Sequence, residues 1–112
     1  VGVVVMINYI KFAIQGRSSK WSKVRKEFLA SKWNGSCAAC KRDTGLEVHH
    51  IIPFDLRPDL ELSQSNLITL CKYCHLIFGH FGDYITYNLN VRDDTKWYHV
   101  KLLLTAKSMK GK

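Results

Sequence analysis

The alternation of apolar and polar positions divides this chain into elements of different period. Val1 to Ile14 is apolar with only Lys11 charged, which predicts a strand or helix that packs on the domain or on a second copy. Gly16-Arg17-Ser18-Ser19-Lys20 reads as a turn, with serine available as a cap. Trp21, Val24, Phe28 and Leu29 then recur at helical spacing, with Lys20, Lys23, Arg25, Lys26 and Lys32 on the remaining surface. This is the pattern of an amphipathic basic helix, ended by Trp33-Asn34-Gly35-Ser36. Leu46 to Ile52 alternates and is rich in branched residues, as a strand is. Strand period puts Leu46, Val48, His50 and Ile52 on one side and Glu47, His49 and Ile51 on the other, so the adjacent histidines point apart.

Beyond Pro53, Phe54 to Ser65 is expected to form a compact loop with a short turn around Asp59-Leu60-Glu61-Leu62, closed by Asn66. Leu67 to Leu70 is a second short strand, and a helix is expected to start near Tyr73 and cover His75 to Phe78 before Gly79 weakens it. Phe81 to Asn90 lacks clean periodicity and is expected to be an extended loop that packs Tyr84 and Tyr87 over the core. Asp93-Asp94-Thr95 opens a terminal helix with its acids at the positive end, and Trp97, Val100, Lys101 and Leu104 lie along one side of it. Lys107 to Lys112 reads as a loose basic tail.

A chain of 112 residues is one domain, with a core small enough for a metal staple to matter. The apolar start has no basic lead, no small-residue cleavage site and too few residues to span a bilayer, so no membrane is expected and a cytoplasmic setting is. The net charge of +8 hides an uneven distribution. Residues 1–42 carry nine basic side chains against Glu27 alone, residues 43–94 carry three against eight acids, and residues 95–112 add five lysines. Basic flanks suit a polyanion such as DNA, and an acidic centre with histidines suits a divalent cation. The plain alternative is a charged surface that only aids solubility.

All four cysteines lie in two Cys-x-x-Cys pairs, Cys37/Cys40 and Cys71/Cys74. That spacing aims the sulfurs at one point and forms a four-thiolate site that suits zinc and leaves no open position. The zinc would be structural; two disulfides are the alternative. Four of the five histidines, His49, His50, His75 and His80, fall between and after these pairs, whereas His99 reads as an ordinary surface or half-buried residue. On opposite sides of a strand, His49 and His50 suit two jobs, one holding a metal and the other approaching the same phosphate from another direction.

The order of these residues resembles the HNH endonucleases. It rests on the two cysteine knuckles, Val48-His49-His50-Ile51-Ile52-Pro53, Asn66-Leu67-Ile68-Thr69-Leu70-Cys71, and a histidine directly after the last cysteine, and it covers roughly Arg17 to Val91. Phe78-Gly79-His80 and Asn88-Leu89-Asn90-Val91 look like small stand-alone members often encoded by bacteriophages, which would act in the host cytoplasm. The resemblance implies an α+β fold, a ββα-metal (His-Me finger) core stapled by the Cys37, Cys40, Cys71, Cys74 zinc site, with flanking helices. It also implies that His50 is the general base and that Asn66 fixes its orientation by bonding to its backbone. His49 and His75 would bind one divalent metal, magnesium, manganese, nickel or zinc. His80 lies five residues from His75, about 140° around a regular helix. It reaches the same metal only where the helix bulges or ends at Gly79.

The expected organisation is an apolar segment over 1–16, a nuclease domain over 17–92, and a helix with a basic tail over 93–112. The expected activity is nicking or double-strand cleavage of DNA by metal-assisted phosphodiester hydrolysis. A zinc-stabilised DNA-binding module without chemistry is the alternative, and an adaptor with scaffold knuckles a third; neither needs the His49-His50, Asn66 and His75 set.

Overall fold

The computed structural model describes residues 18–110, so the apolar segment over 1–16 and any copy it would pack on lie outside the described residues. The architecture is α+β: helix α1 (Trp21–Ala30), strand β1 (Leu46–His50), strand β2 (Leu67–Cys71), a single α turn α2 (Lys72–Cys74) that runs directly into a π-helical turn (His75–Gly79), and helix α3 (Val91–Lys110). The strands pair antiparallel with His50 opposite Leu67 and Leu46 opposite Cys71. A two-stranded ribbon followed by a short helix is compatible with a ββα-metal fold.

The ribbon is stabilised from both faces, because two strands alone are marginal in water. Val48 and Leu67 pack on Phe28 of α1, with Trp21, Val24 and Leu29 at the margin. Ile51, Ile68 and Leu70 face the other way, onto Cys37, Ala39, Cys71, Cys74 and Val91. The predicted alternation along β1 therefore holds, with Val48 and His50 toward α1 and Glu47 and His49 toward the π turn. Ile52 does not extend the strand, since the Asn66 side chain takes both of its backbone polar groups.

Local chemistry explains the element ends. α1 stops at Ala30, earlier than the polar run at Trp33, because the Ser31 hydroxyl donates to the Phe28 carbonyl and Asn34 Nδ2 donates to Ser31 Oγ. Its N-cap is Lys20, which has no side-chain cap. The loop before β2 is built of two 3₁₀ turns, Pro58–Leu60 and Gln64–Asn66, with proline at the start of the first. α3 begins at Val91, two residues before the acid pair, and leaves Trp97, Leu103 and Leu104 exposed.

Residues 81–90 depart from expectation. Tyr84 is 60% exposed and does not cover the core. The buried residue of this loop is Asn88: its amide donates to the Phe78 carbonyl and to Asp94 Oδ2, and its backbone N–H donates to the Gly79 carbonyl. Those are the carbonyls left over at the end of the π turn, so Asn88 clasps that turn to the start of α3. Asn88→Ala would strip the Phe78 carbonyl and the Asp94 carboxylate of their side-chain donor, while the backbone N–H of residue 88 still serves the Gly79 carbonyl, at a cost of about 1 kcal/mol. Urea denaturation of the metal-loaded protein should show a lowered midpoint; an unchanged midpoint would mean the clasp adds nothing.

Candidate metal centre and active site

The four sulfurs come together from two knuckles. The Cys37 N–H bonds to the Arg42 carbonyl, Lys41 takes a left-handed φ of 65° to close the first turn, and the Ala38 N–H bonds to the Thr69 carbonyl, tying that knuckle to β2. The Cys40 and Cys71 sulfurs are 3.7 Å apart, and no cysteine is in a disulfide. Metal–sulfur bonds of about 2.3 Å in a tetrahedron put sulfurs about 3.8 Å apart, so this pair already has the spacing of a metal such as zinc, and all four sulfurs lie within 4.8 Å of one another. Burial pushes the Cys37 thiol up, but the backbone N–H groups of Cys40, Cys71 and Ala39 outweigh it and bring it to about 7. Burial raises Cys40 and Cys74, the latter strongly, with the neighbouring sulfurs adding to the effect. Two to four thiolates cannot accumulate here without a cation among them, which is the signature of a metal site.

His49, His75 and His80 form a second cluster, with ligand-capable atoms all within 4.8 Å of one another. Ring centroids lie 4.8 Å (His49–His75), 4.9 Å (His49–His80) and 4.9 Å (His75–His80) apart. The π turn brings in His80: it carries one residue more per turn than an α-helix, so positions five apart share a face. Gly79 suits the same packing, because a Cβ there would lie 3.0 Å from Cε1 of the His49 ring and the ring would have to give by a few tenths of an ångström.

The outer ring nitrogens decide what the inner ones do. His75 Nδ1 is 2.9 Å from Glu47 Oε1 and His80 Nδ1 is 2.7 Å from the Thr86 carbonyl, both acceptors, so each Nδ1 carries the proton and each Nε2 a lone pair. These two Nε2 atoms nevertheless face each other at 3.2 Å, and His49 Nε2 is buried with no partner. Two acceptors and an orphaned ring nitrogen around one point repel unless a cation or shared proton joins them. Metal–nitrogen bonds of about 2.0 Å separated by 90–110° give nitrogen spacings of about 3 Å. The donor set therefore fits a divalent cation with open positions left over. Burial drives the His49 imidazole down to about 3, with His75, His80 and His50 adding to the shift, so this ring is neutral at physiological pH.

His50 sits on the opposite side of β1. Its Nε2 is 2.8 Å from the Glu61 backbone carbonyl, which can only accept, so Nδ1 is the basic nitrogen. The Trp21 ring lies against it at 4.5 Å between centroids. Glu61 Oε1 in turn accepts the Ser18 N–H, linking the loop under His50 to the entry of α1. Asn66 is buried, accepting the Ile52 N–H at 2.8 Å and donating to the Ile52 carbonyl. It pins the chain two residues beyond His50 rather than His50's own backbone. His49, His50, His75 and His80 all line one cleft of about 460 Å³, together with Trp21, Arg25, Glu47, Phe54 and Asp55. The sequence reading missed Glu47, Glu61 and Thr86 as orienting groups. Only Glu47 left a signal, as the acid two residues before His49 on the same strand face.

Residues 37–80 match the family model of the HNH endonuclease. Among curated proteins the chain is similar to the Septu protein PtuB of Bacillus thuringiensis, 30% identical over 108 residues that cover 88% of this chain and 42% of that relative. The chain thus spans less than half the length of the curated relative it matches. No solved structure matches. Among the described residues no helix is long and apolar enough to cross a membrane.

Two measurements follow from this geometry. Gly79→Ala should displace the His49 ring and weaken divalent binding at the histidine cluster by roughly 10- to 100-fold, read by manganese titration, with bound zinc unchanged. In the protein free of metal at the histidines, native His49 stays neutral well below the unfolded value near 6.5. Its contribution is full above that pH and falls as the pH drops toward 3. The stability advantage of wild type over His49→Gln should shrink by about 2 kcal/mol between pH 7 and pH 5; a difference independent of pH would contradict the burial.

Proposed function

Taking residues 37–80 as an HNH endonuclease domain, we propose that this chain hydrolyses phosphodiester bonds of DNA, with His50 as general base and His49, His75 and His80 as ligands of one divalent metal. The observation that carries this reading is the meeting, in one cleft, of three imidazole lone pairs with a fourth imidazole held in the tautomer that keeps Nδ1 basic. A binding module without chemistry has no use for either feature.

The residues divide the work. His50 Nδ1 accepts the proton of a water whose oxygen bonds to phosphorus as the bond to the leaving sugar oxygen breaks, that oxygen taking a proton from solvent, and the Glu61 carbonyl and the Trp21 ring hold the imidazole in one orientation. Asn66 keeps the chain after His50 from unravelling and so fixes where β1 ends. Three neutral imidazoles leave the charge of a bound dication uncompensated, which draws in an anionic phosphate. When bound, such a cation supplies Lewis-acid polarisation of the phosphoryl group and stabilises the charge that develops there. Arg25, at the edge of the cleft, the exposed Lys23 and Lys26 of α1 and Lys20 at its N-cap add the positive field that a DNA backbone needs. The four-cysteine site takes no part in the chemistry and holds the two knuckles that position β2 and the π turn.

A supercoiled-plasmid assay with added magnesium or manganese tests the proposal. Wild type should nick or linearise the plasmid, and His50→Ala, at equal bound zinc and unchanged DNA affinity, should be slower by roughly 10²- to 10⁴-fold. If neither protein cuts with any metal while both bind DNA in a salt-dependent way, the enzyme reading fails and the binding module replaces it.

A further inference from the structure

The loop that follows the π turn carries an exposed apolar cluster that the proposed hydrolysis does not use. Phe81 is 62% exposed, Tyr84 60%, Ile85 89% and Leu89 58%. An apolar group of this size on one short loop marks an interaction site.

This loop is firmly built. Phe81 and Gly82 both take left-handed φ, 51° and 84°, and reverse the chain directly after His80. Asp83 Oδ1 accepts the Ile85 N–H at 3.0 Å, and the Thr86 hydroxyl donates to the carbonyls of Asp83 and His80. Thr86 also accepts His80 Nδ1, so the loop and a candidate metal ligand form one unit. The Tyr84 ring lies 4.9 Å from the His80 ring and 5.9 Å from the His75 ring, between centroids.

Those distances identify the occupant. A phosphate drawn to the three imidazoles lies within a few ångströms of His75 and His80, and successive nucleotides of one strand are spaced by about 3.4 Å. The nucleotides beside the scissile bond therefore come within reach of Tyr84, whose chain neighbour Ile85 is the most exposed apolar side chain of the loop. The loop's one acid, Asp83, is held by the Ile85 N–H, and the remaining exposed side chains around it, Phe81, Tyr84 and Ile85, are apolar or aromatic.

Resting on the nuclease reading, we infer that residues Phe81–Ile85 form a wedge that packs Ile85 and Tyr84 against the bases next to the cleaved phosphate and unstacks that step. Apolar side chains that enter a base step in this way kink the duplex, and the unstacking is easier where pairing is already weak.

The test uses the full-length protein loaded with zinc and manganese, on a duplex whose cleaved step has been mapped with wild type, fully paired or carrying a single mismatch at that step. Ile85→Ala should cut the paired duplex roughly tenfold more slowly, the size expected when a buried apolar side chain is truncated, and should recover most of that loss on the mismatched one. Manganese affinity of the variant should equal that of wild type, which separates a wedge from a damaged metal site. Equal rates of variant and wild type on both duplexes, or an equal loss on both, would overturn the wedge and leave the loop as an edge for a protein partner. If wild type cuts neither duplex, the nuclease reading itself falls and the wedge with it.

Discussion

The site depends on a single extra residue in a helical turn. His75 and His80 face each other because the backbone between them winds as a π turn, and His49 can join them because Gly79 has no side chain. The wider turn frees carbonyls at its end, and these do not go to water. Asn88 takes those of Phe78 and Gly79, while the Leu76 carbonyl accepts the N–H groups of His80 and Gly82. The turn is thus held on one side by the second knuckle and on the other by a buried asparagine, and it presents two imidazoles without strain in its hydrogen bonding.

Around this turn, three of the four cleft histidines are oriented by acceptors on different elements. Glu47 on β1 bonds His75, Thr86 on the following loop bonds His80, and Glu61 on the preceding loop bonds His50. The same arrangement separates the roles. At His75 and His80 the outer nitrogen is the one engaged, so Nε2 faces the cluster; at His50 it is Nε2 that is engaged, so Nδ1 keeps its lone pair. Three identical side chains are thereby left with different free nitrogens, according to which nitrogen has been given a carbonyl or carboxylate partner.

The two donor clusters sit in different surroundings. The thiol cluster lies with the larger core group and joins both knuckles to β2, while the imidazoles line an open cleft. A cation in the first would add folding stability in a chain whose described core is small, and the second leaves positions open to the cleft. Positive charge is distributed accordingly. It lies on α1 beside the cleft and along α3, and the acids gather in the segment that bears the histidines.

Sequence alone determined the elements whose cause is local. The Cys-x-x-Cys spacings, the alternation that separates His49 from His50, the helical stripe of Trp21, Val24 and Phe28, and the acid-led terminal helix all follow from short-range periodicity. A residue's face is fixed by its own neighbours in the chain, so these were legible. Tertiary structure decided what depends on contacts between distant residues. A regular helix puts His80 about 140° away from His75. The π turn that brings them together is selected by a ring from β1 resting on Gly79 and by Asn88 ten residues beyond the turn's own carbonyls. The choice of Glu47, Thr86 and Glu61 as orienting partners, the bond from Asn66 to Ile52, and the exposure of Tyr84 beside the imidazoles have the same origin. Each satisfies a buried polar group or a packed ring across a fold that no window of the sequence contains.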